Sequence, residues 1–135
     1  MPPATNDPDP VAVVMAFVDC VNRGDVDGLG RLMSEDHVLR VLDEEPVAGR
    51  AANLAGWRAY LTAAPRYTIH PRSVARSGAT VAILGHTTGS PLGLPDEEER
   101  RHTLTWVAEV EGGRVRSWTI TEDRRAVRDA YRRGA

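Results

Sequence analysis

Residues 102–121, HTLTWVAEVEGGRVRSWTIT, carry the clearest secondary-structure pattern in the sequence. Apolar and polar residues alternate on both sides of a Gly-Gly pair at 112–113, which is typical of two antiparallel strands joined by a tight turn. A regular hairpin about this turn pairs Val107 with Trp118 and therefore sets Trp106 on the other side of the sheet. The segment predicts a β-hairpin whose two tryptophans lie on opposite faces.

Two earlier segments predict further strands. Residues 66–89, RYTIHPRSVARSGATVAILGHTTG, contain two extended stretches around a turn at 77–78. Residues 37–42, HVLRVL, predict a short strand that ends in the turn DEEP. Residues 90–101, SPLGLPDEEERR, break the strand pattern with Gly, Pro and acids. We expect a loop there, with its DEEERR run as a solvated outer edge.

The first half of the chain predicts helices. Asp9 before a proline is typical of a helix start, and the apolar spacing that follows continues to Gly24, a typical helix end. Asp25 caps a second, shorter helix, and residues 49–64 predict a third. A short basic helix is expected over residues 122–134.

This order of elements predicts an α+β domain, with the helices on one face of a curved antiparallel sheet. We assign residues 1–10 to a disordered N-terminal arm, 11–131 to a single domain and 132–135 to a tail. The length of 135 residues fits one such domain with a hydrophobic core.

Charge and hydropathy exclude several classes of partner. The formal net charge of −2 gives no bulk electrostatic case for binding nucleic acid or an anionic membrane. No apolar run approaches the ~18 residues of a transmembrane helix. The N-terminus lacks the pattern of a secretory signal, so we expect a cytoplasmic protein.

The cysteine and histidines predict no metal or cofactor site. Cys20 is the single cysteine and lies in an apolar helical stretch, where a buried, unreactive thiol is expected. Of the four histidines, His37, His70, His86 and His102, none has metal-ligand spacing with another ligand on one element. We expect His37, at a strand start, to be structural or exposed.

Several of these segments, in this order, resemble the nuclear transport factor 2-like superfamily and most closely its SnoaL-like branch. They are FVDCVNRGDVDGLGRLMSEDHV, GR opening a helix that ends GWRAYL, VAEVEGGRVRSW and EDRRAVRDA. The resemblance covers about residues 10–130. It implies a cone-shaped fold with an apolar pocket, often in a homodimer joined through the sheet. Members include isomerases, cyclases, hydrolases and transport factors, so the fold alone does not select an activity.

The catalytic positions of the ketosteroid isomerases are not kept in this sequence. These relatives use a Tyr donor in the first helix and a carboxylate base on the first strand. The two positions fall on Phe17 and near Val41, and the nearest acid is Asp43, in the following turn. The resemblance therefore does not imply an isomerase of that mechanism.

Two other branches lose their reactive groups in the same way. Limonene epoxide hydrolases use an Arg and an Asp two apart on one strand and a second Asp on the last strand. Those positions fall on Thr87, Gly89 and Ile120. Residues 87–101, TTGSPLGLPDEEERR, resemble a loop of polyketide cyclases, but the histidine of that loop falls on Pro91. The loop is expected to form the rim of the pocket.

We expect seven residues to line the pocket that the resemblance implies. Trp57 and Tyr60 supply aromatic surface suited to a flat apolar ligand. The others occupy the reactive positions of relatives or the inward side of the last strand. The set is Phe17, Val41, Trp57, Tyr60, Thr87, Trp118 and Ile120.

Three residues stay open as catalytic groups in non-standard places: His86, Asp43 and Arg40. His86 titrates in the useful range and lies on an otherwise apolar strand. Strand alternation, however, sets it on the opposite face from Thr87.

Three functions follow as alternatives. The first is a protein that binds a small apolar or aromatic molecule without catalysis. The second is an enzyme of secondary metabolism, of the polyketide cyclase, isomerase or hydrolase type, with non-standard acid–base residues. The third is an interaction module whose sheet face binds another protein.

Overall fold

The fold begins with a helix whose two ends are set by its neighbouring residues. In the computed structural model, which describes residues 8–42 and 44–121, α1 spans Pro10–Arg23. The Asp9 carboxylate accepts from the Val11 N–H at 2.8 Å, and Gly24 ends the helix in the left-handed conformation, with φ of 69°. Both predicted ends of this helix are confirmed.

The other helices differ in how far the sequence predicts them. Helix α2 spans Val26–Leu32 and is capped by Asp25, whose carboxylate accepts from the Gly28 N–H at 2.9 Å. Helix α3 spans Arg50–Ala63, within the predicted range. A single turn of helix, α4 at Asp96–Glu99, lies in the segment predicted as a loop. The predicted basic helix at the C-terminus lies outside the described residues.

Within the part of the chain that the structure describes, six strands form one curved, unclosed sheet, which is the second layer of the fold. The strands are β1 (Met33–Val41), β2 (Val47–Ala48), β3 (Thr68–Ser77), β4 (Thr80–Thr88), β5 (Leu104–Glu111) and β6 (Arg114–Ile120). Their order in space is β2-β1-β6-β5-β4-β3. Every neighbouring pair is antiparallel except β1 and β6, which run parallel. The predicted α+β class, with helices against a curved sheet, is confirmed.

The register of the last hairpin differs from the prediction because β6 contains a bulge. Arg116 is an extra residue there, so Trp118 lies opposite Ala108 and not opposite Val107. Since Ala108 and Trp106 share a face of β5, both tryptophans point inward, and both are fully buried. The prediction that Trp106 and Trp118 face opposite sides is wrong. One extra residue in a strand moves each later side chain of that strand to the other face of the sheet.

The core lies between the helices and the inner face of the sheet. Phe17 is at its centre, with ring centroids 4.7 Å from Trp118 and 6.3 Å from Trp57. Cys20 is buried as expected, and burial, reinforced by the nearby Asp25 carboxylate, raises the pKa of its thiol. The largest fully buried side chains are Trp106, Trp118, Phe17, Leu29, Met33, Ile69, Ile83 and Leu104.

None of the helices within residues 8–42 and 44–121 is long and apolar enough to cross a lipid bilayer. The predicted cytoplasmic location stays a prediction. So do the boundaries assigned to the N-terminal arm and the C-terminal tail.

Candidate functional site

A cavity of about 360 Å³ opens between α3, the inward side of β1 and β6, and the loop after β4. Its walls are mainly aliphatic and aromatic. The lining residues are Leu39, Val41, Glu44, Val47, Asn53, Gly56, Trp57, Tyr60, Tyr67, Pro91, Leu92 and Ile120.

Helix α3 supplies one wall through a single stripe of residues. Asn53, Gly56, Trp57 and Tyr60 are spaced i, i+3, i+4 and i+7, which sets them on one face of a helix. Tyr67, just before β3, completes an aromatic cluster with this stripe. Its ring meets that of Tyr60 edge to face, with centroids 5.0 Å apart.

The opposite wall comes from two parallel strands. Leu39 and Val41 alternate inward along β1, and Ile120 on β6 lies opposite Val41. Pro91 and Leu92, in the loop that follows β4, form part of the rim. The loop therefore lies beside the cavity, which is the position predicted for it.

Asn53 is the buried polar residue that ties α3 to the strands beside it. Its Nδ2 lies within hydrogen-bond distance of the backbone carbonyls of His37 at 3.1 Å, Val47 at 2.9 Å and Gly49 at 2.8 Å, so two of these three acceptors share one of its two hydrogens. The carbonyls can only accept, so these contacts fix which end of the amide faces them. Within the described residues, Asn53 Oδ1 and the neighbouring Trp57 Nε1 have no hydrogen-bond partner in the protein.

His37 is a fully buried imidazole beside the cavity wall. Its Nδ1 lies 2.7 Å from the carbonyl oxygen of Val115, so Nδ1 carries the proton and Nε2 the lone pair. The ring stacks on Phe17 at 5.9 Å, and burial lowers the pKa of His37 below its ordinary value. The sequence predicts a structural or exposed residue at this position, and the structure places His37 in the core.

Glu99 is a buried acid that the sequence pattern does not single out. Its carboxyl group accepts from the Thr87 hydroxyl and, at 3.3 Å, from the Ser90 N–H. Only 1% of Glu99 is exposed, so the prediction that the whole DEEERR run is solvated is wrong for this residue. The turn of α4 directs one of its consecutive acids inward, and nothing in a run of three glutamates marks which one it is.

Of the seven residues expected at the pocket, four line the cavity and three do not. Val41, Trp57, Tyr60 and Ile120 line the cavity. Phe17 and Trp118 lie in the core against one another, and Phe17 contacts Trp57 from behind the cavity wall. Thr87 faces inward and holds Glu99.

The structure brings neither His86 nor Arg40 to the cavity lining. His86 lies on the face of β4 opposite to Thr87, as alternation predicts, and its ring stacks on His70 with centroids 4.6 Å apart. Burial and the neighbouring His70 lower the pKa of His86. Arg40 is exposed, on the face of β1 opposite to Leu39 and Val41. Asp43 lies outside the described residues.

Nowhere in residues 8–42 and 44–121 do three His, Cys, Asp or Glu side chains gather closely enough to hold a metal ion.

Comparison with known proteins gives both a family and a set of similar structures. The family model of the SnoaL-like domain matches residues 14–118. A comparison with curated protein sequences gives no significant match.

Three solved structures illustrate the likeness. An uncharacterized cystatin-fold protein from Novosphingobium aromaticivorans superposes with a TM-score of 0.73 at 19% identity, over 85% of this chain and 99% of that one. A candidate polyketide cyclase from Sinorhizobium meliloti has a TM-score of 0.68 at 25% identity, over 81% and 93%. An LEH-like epoxide hydrolase from M. tuberculosis has a TM-score of 0.69 at 16% identity, over 93% and 90%.

Proposed function

Because the chain belongs to the SnoaL-like domain family, we propose that its cavity binds a small apolar or aromatic molecule. The observation that carries this proposal is the cavity of about 360 Å³ with aromatic and aliphatic walls. Its size lies at the small end of ligand pockets, which suits a molecule of one or two rings.

The shape of the two walls supports a flat ligand. On one side, the rings of Trp57 and Tyr60 meet edge to face with centroids 5.9 Å apart, and Tyr67 continues the wall. On the other side, Val41 and Ile120 present aliphatic surface. A planar apolar molecule between them gains contact on both faces and removes apolar area from water.

The charge of the lining supports a ligand without negative charge. Among the described lining residues there is one carboxylic acid, Glu44, and no Lys, Arg or His. A carboxylate at the mouth repels anions and leaves neutral molecules unaffected. Neutral ligands therefore fit this cavity better than organic acids do.

A second candidate is an enzyme that acts on a substrate of the polyketide type. The likeness to the S. meliloti candidate polyketide cyclase supports it. Such a reaction would draw on the groups the lining holds, Glu44, Tyr60 and Tyr67, because Phe17, Val41, Thr87 and Ile120 occupy the positions where relatives carry reactive groups. Mass spectrometry of a bound ligand after incubation separates the two candidates: recovery of an altered ligand supports the enzyme.

The test of binding uses naphthalene and 2-naphthol as probes, titrated by NMR. Gly56 lines the cavity, and a Cβ added there meets no atom within 4 Å, so a Gly56→Leu side chain has room to occupy ligand space. We expect this variant to lose about tenfold or more in affinity, since inserting side-chain bulk where a ligand packs costs about 1–3 kcal/mol.

The matched control is Ala55→Leu, an exposed position on the same helix outside the lining. It should bind as the unaltered protein does. Absence of binding by the unaltered protein, or equal loss in both variants, contradicts the proposal.

We further propose that two copies pair through the outer sheet face, which consists of Ala82, Leu84 and His86 on β4 with Thr105 and Val107 on β5. These residues share the side of the sheet away from the helices. Leu84 is 42% exposed there, an apolar side chain that a second copy would cover.

A further inference from the structure

We propose that the ligand of this cavity carries one positively charged ammonium group on its apolar frame, and that the carboxylate of Glu44 attracts this group at the cavity mouth. The frame lies in the cavity, and the ammonium stays at the opening, where water reaches it. The inference rests on the proposed binding function and specifies the class of ligand, an arylalkyl amine in its protonated form.

The backbone fixes Glu44 beside the aliphatic wall of the cavity. The Glu44 N–H donates to the carbonyl of Val41 at 2.9 Å, a contact across the turn that follows β1. The Leu42 N–H donates to the carbonyl of Ile120 at 3.2 Å and ties the start of the same turn to β6. Val41 and Ile120 both line the cavity, so the turn lies at the edge of this wall.

Glu44 lies where the cavity meets solvent, because it lines the cavity and is also exposed. The ion pairs among the described residues use other carboxylates, which leaves that of Glu44 without a described Arg or His at ion-pair distance. A charge in this place acts on a ligand at the mouth without direct contact, since the screening length is about 8 Å at physiological ionic strength.

The rest of the lining does not oppose this attraction. Among the described lining residues there is no Lys, Arg or His. The facing wall contains Trp57, Tyr60 and Tyr67, and aromatic rings attract cations to their faces. An ammonium buried among these side chains would lose its water, which is unfavourable, whereas one at the mouth keeps it. The arrangement therefore suits a ligand with an apolar frame and a charge at one end.

The charge of Glu44 selects among ligands that share one frame. An alkylammonium, like that of lysine, keeps its proton at neutral pH and is attracted to the carboxylate. An alcohol has no net charge, so the carboxylate leaves its affinity unchanged. An organic acid is repelled.

The test compares 2-naphthylmethylamine, 2-naphthalenemethanol and 2-naphthoic acid, which share one ring system and differ in charge. NMR titration gives their affinities for the unaltered protein and for Glu44→Gln, which keeps the shape of the side chain and removes its charge. Differences in ligand hydration cancel when the amine-to-alcohol affinity ratios of the two proteins are compared. We expect this ratio to fall about two- to fivefold in Glu44→Gln, the range of an exposed ion pair. The acid-to-alcohol ratio should rise by a similar factor.

Two controls separate Glu44 from the general charge of the protein. Glu45→Gln removes the same charge from the next residue, which is exposed and outside the lining, so it should change both ratios less than Glu44→Gln does. Raising the ionic strength from about 0.01 M to about 1 M shortens the screening length from about 30 Å to about 3 Å. The amine-to-alcohol ratio of the unaltered protein should fall under that change.

Each outcome has a separate meaning. An amine-to-alcohol ratio that is the same in the unaltered protein and in Glu44→Gln overturns this inference and leaves the binding function standing. Equal changes in the Glu44 and Glu45 variants also overturn it, because the charge of the whole turn and not Glu44 then selects the ligand. Failure of naphthalene and of all three charged and uncharged derivatives to bind overturns the proposed function, and this inference falls with it.

Discussion

The imidazole of His37 is buried between the core and the cavity wall, with Nδ1 donating to the carbonyl of Val115. Burial holds its pKa below the ordinary value of about 6.5, and the hydrogen bond to Val115 and the nearby Asp36 carboxylate oppose this only in part. The folded protein therefore keeps His37 neutral at pH values where the unfolded chain has begun to bind a proton.

This pKa gives a pH dependence of stability with a definite sign. Between pH 7.5 and 5.5 the unfolded state binds more protons at His37, so the free energy of unfolding falls as the pH falls. The contribution of this residue is at most about 1.4 kcal/mol over that range. At pH 5.5, one unit below the pKa of the unfolded chain, the protonated form of the unfolded imidazole is favoured about tenfold, and a factor of ten corresponds to about 1.4 kcal/mol. Urea denaturation of His37→Gln should show a smaller drop than the unaltered protein.

His86 also has a lowered pKa, so His86→Gln is the matched variant in which the same pH dependence of the free energy of unfolding is measured. An unchanged pH slope in His37→Gln would show that the imidazole is accessible to protons in the folded state.

Thr87 is one of the partners of a buried acid, Glu99. Its hydroxyl donates to the carboxyl group of Glu99, whose other oxygen accepts from the Ser90 N–H. The Thr87→Val variant keeps the shape and removes the donor, so the buried carboxyl loses a partner. We expect the free energy of unfolding to fall by about 1–3 kcal/mol, measured by urea denaturation.

The control for this variant is Thr88→Val, whose hydroxyl lies 2.8 Å from His70 Nε2 on the opposite face of β4. Losses of the same size in the two variants would contradict a special role for the buried Thr87–Glu99 contact. The Pro91–Leu92 rim follows Ser90 directly, so a weaker hold on this loop should also lower ligand affinity in Thr87→Val.

At the scale of the elements, α3 carries the cavity wall at a cost to its own stability. Gly56 lies in the helix interior, where glycine is about 1 kcal/mol less favourable than alanine. An added Cβ would meet no atom within 4 Å. Gly56→Ala should therefore raise the free energy of unfolding by about 0.5–1 kcal/mol in thermal or urea denaturation. A loss of stability would show that this position tolerates no side chain.

The same elements show where sequence information is sufficient and where it is not. The ends of α1 depend on Asp9 and Gly24, which act on backbone groups within a few residues, so the sequence predicts them correctly. The bulge at Arg116 depends on how β6 fits its neighbours, and residue alternation contains no sign of it. One unpredicted residue was enough to reverse the predicted facing of Trp118.

In the cavity, too, local sequence predicts some features, and others depend on tertiary contacts. The helical spacing and aromatic character of Trp57 and Tyr60 predict one of its walls from local sequence. The inward turn of Glu99 required knowledge of a tertiary partner, Thr87, and the orientation of Asn53 required three carbonyls from other segments. Polar contacts of this kind arise only when the strands and helices are assembled.

At the scale of the whole molecule, the proposed pairing through the outer sheet face depends on an apolar contact at Leu84. A Leu84→Glu change sets a charge into that contact in both copies, and burying unpaired like charges is strongly unfavourable. Light scattering after size exclusion should give a dimer for the unaltered protein and a monomer for the variant. Val74→Glu, at a similarly exposed position on the inward side of β3, should leave the mass unchanged. A monomeric unaltered protein contradicts the pairing.

The central claim is that the cavity beside α3 is where a small apolar molecule binds. Intermolecular nuclear Overhauser effects between 2-naphthol protons and protein methyl groups test it most directly. The account predicts contacts to the methyls of Leu39, Val41, Leu92 and Ile120, which all line the cavity. Contacts confined to Leu84 and Val107, on the outer sheet face, would contradict it.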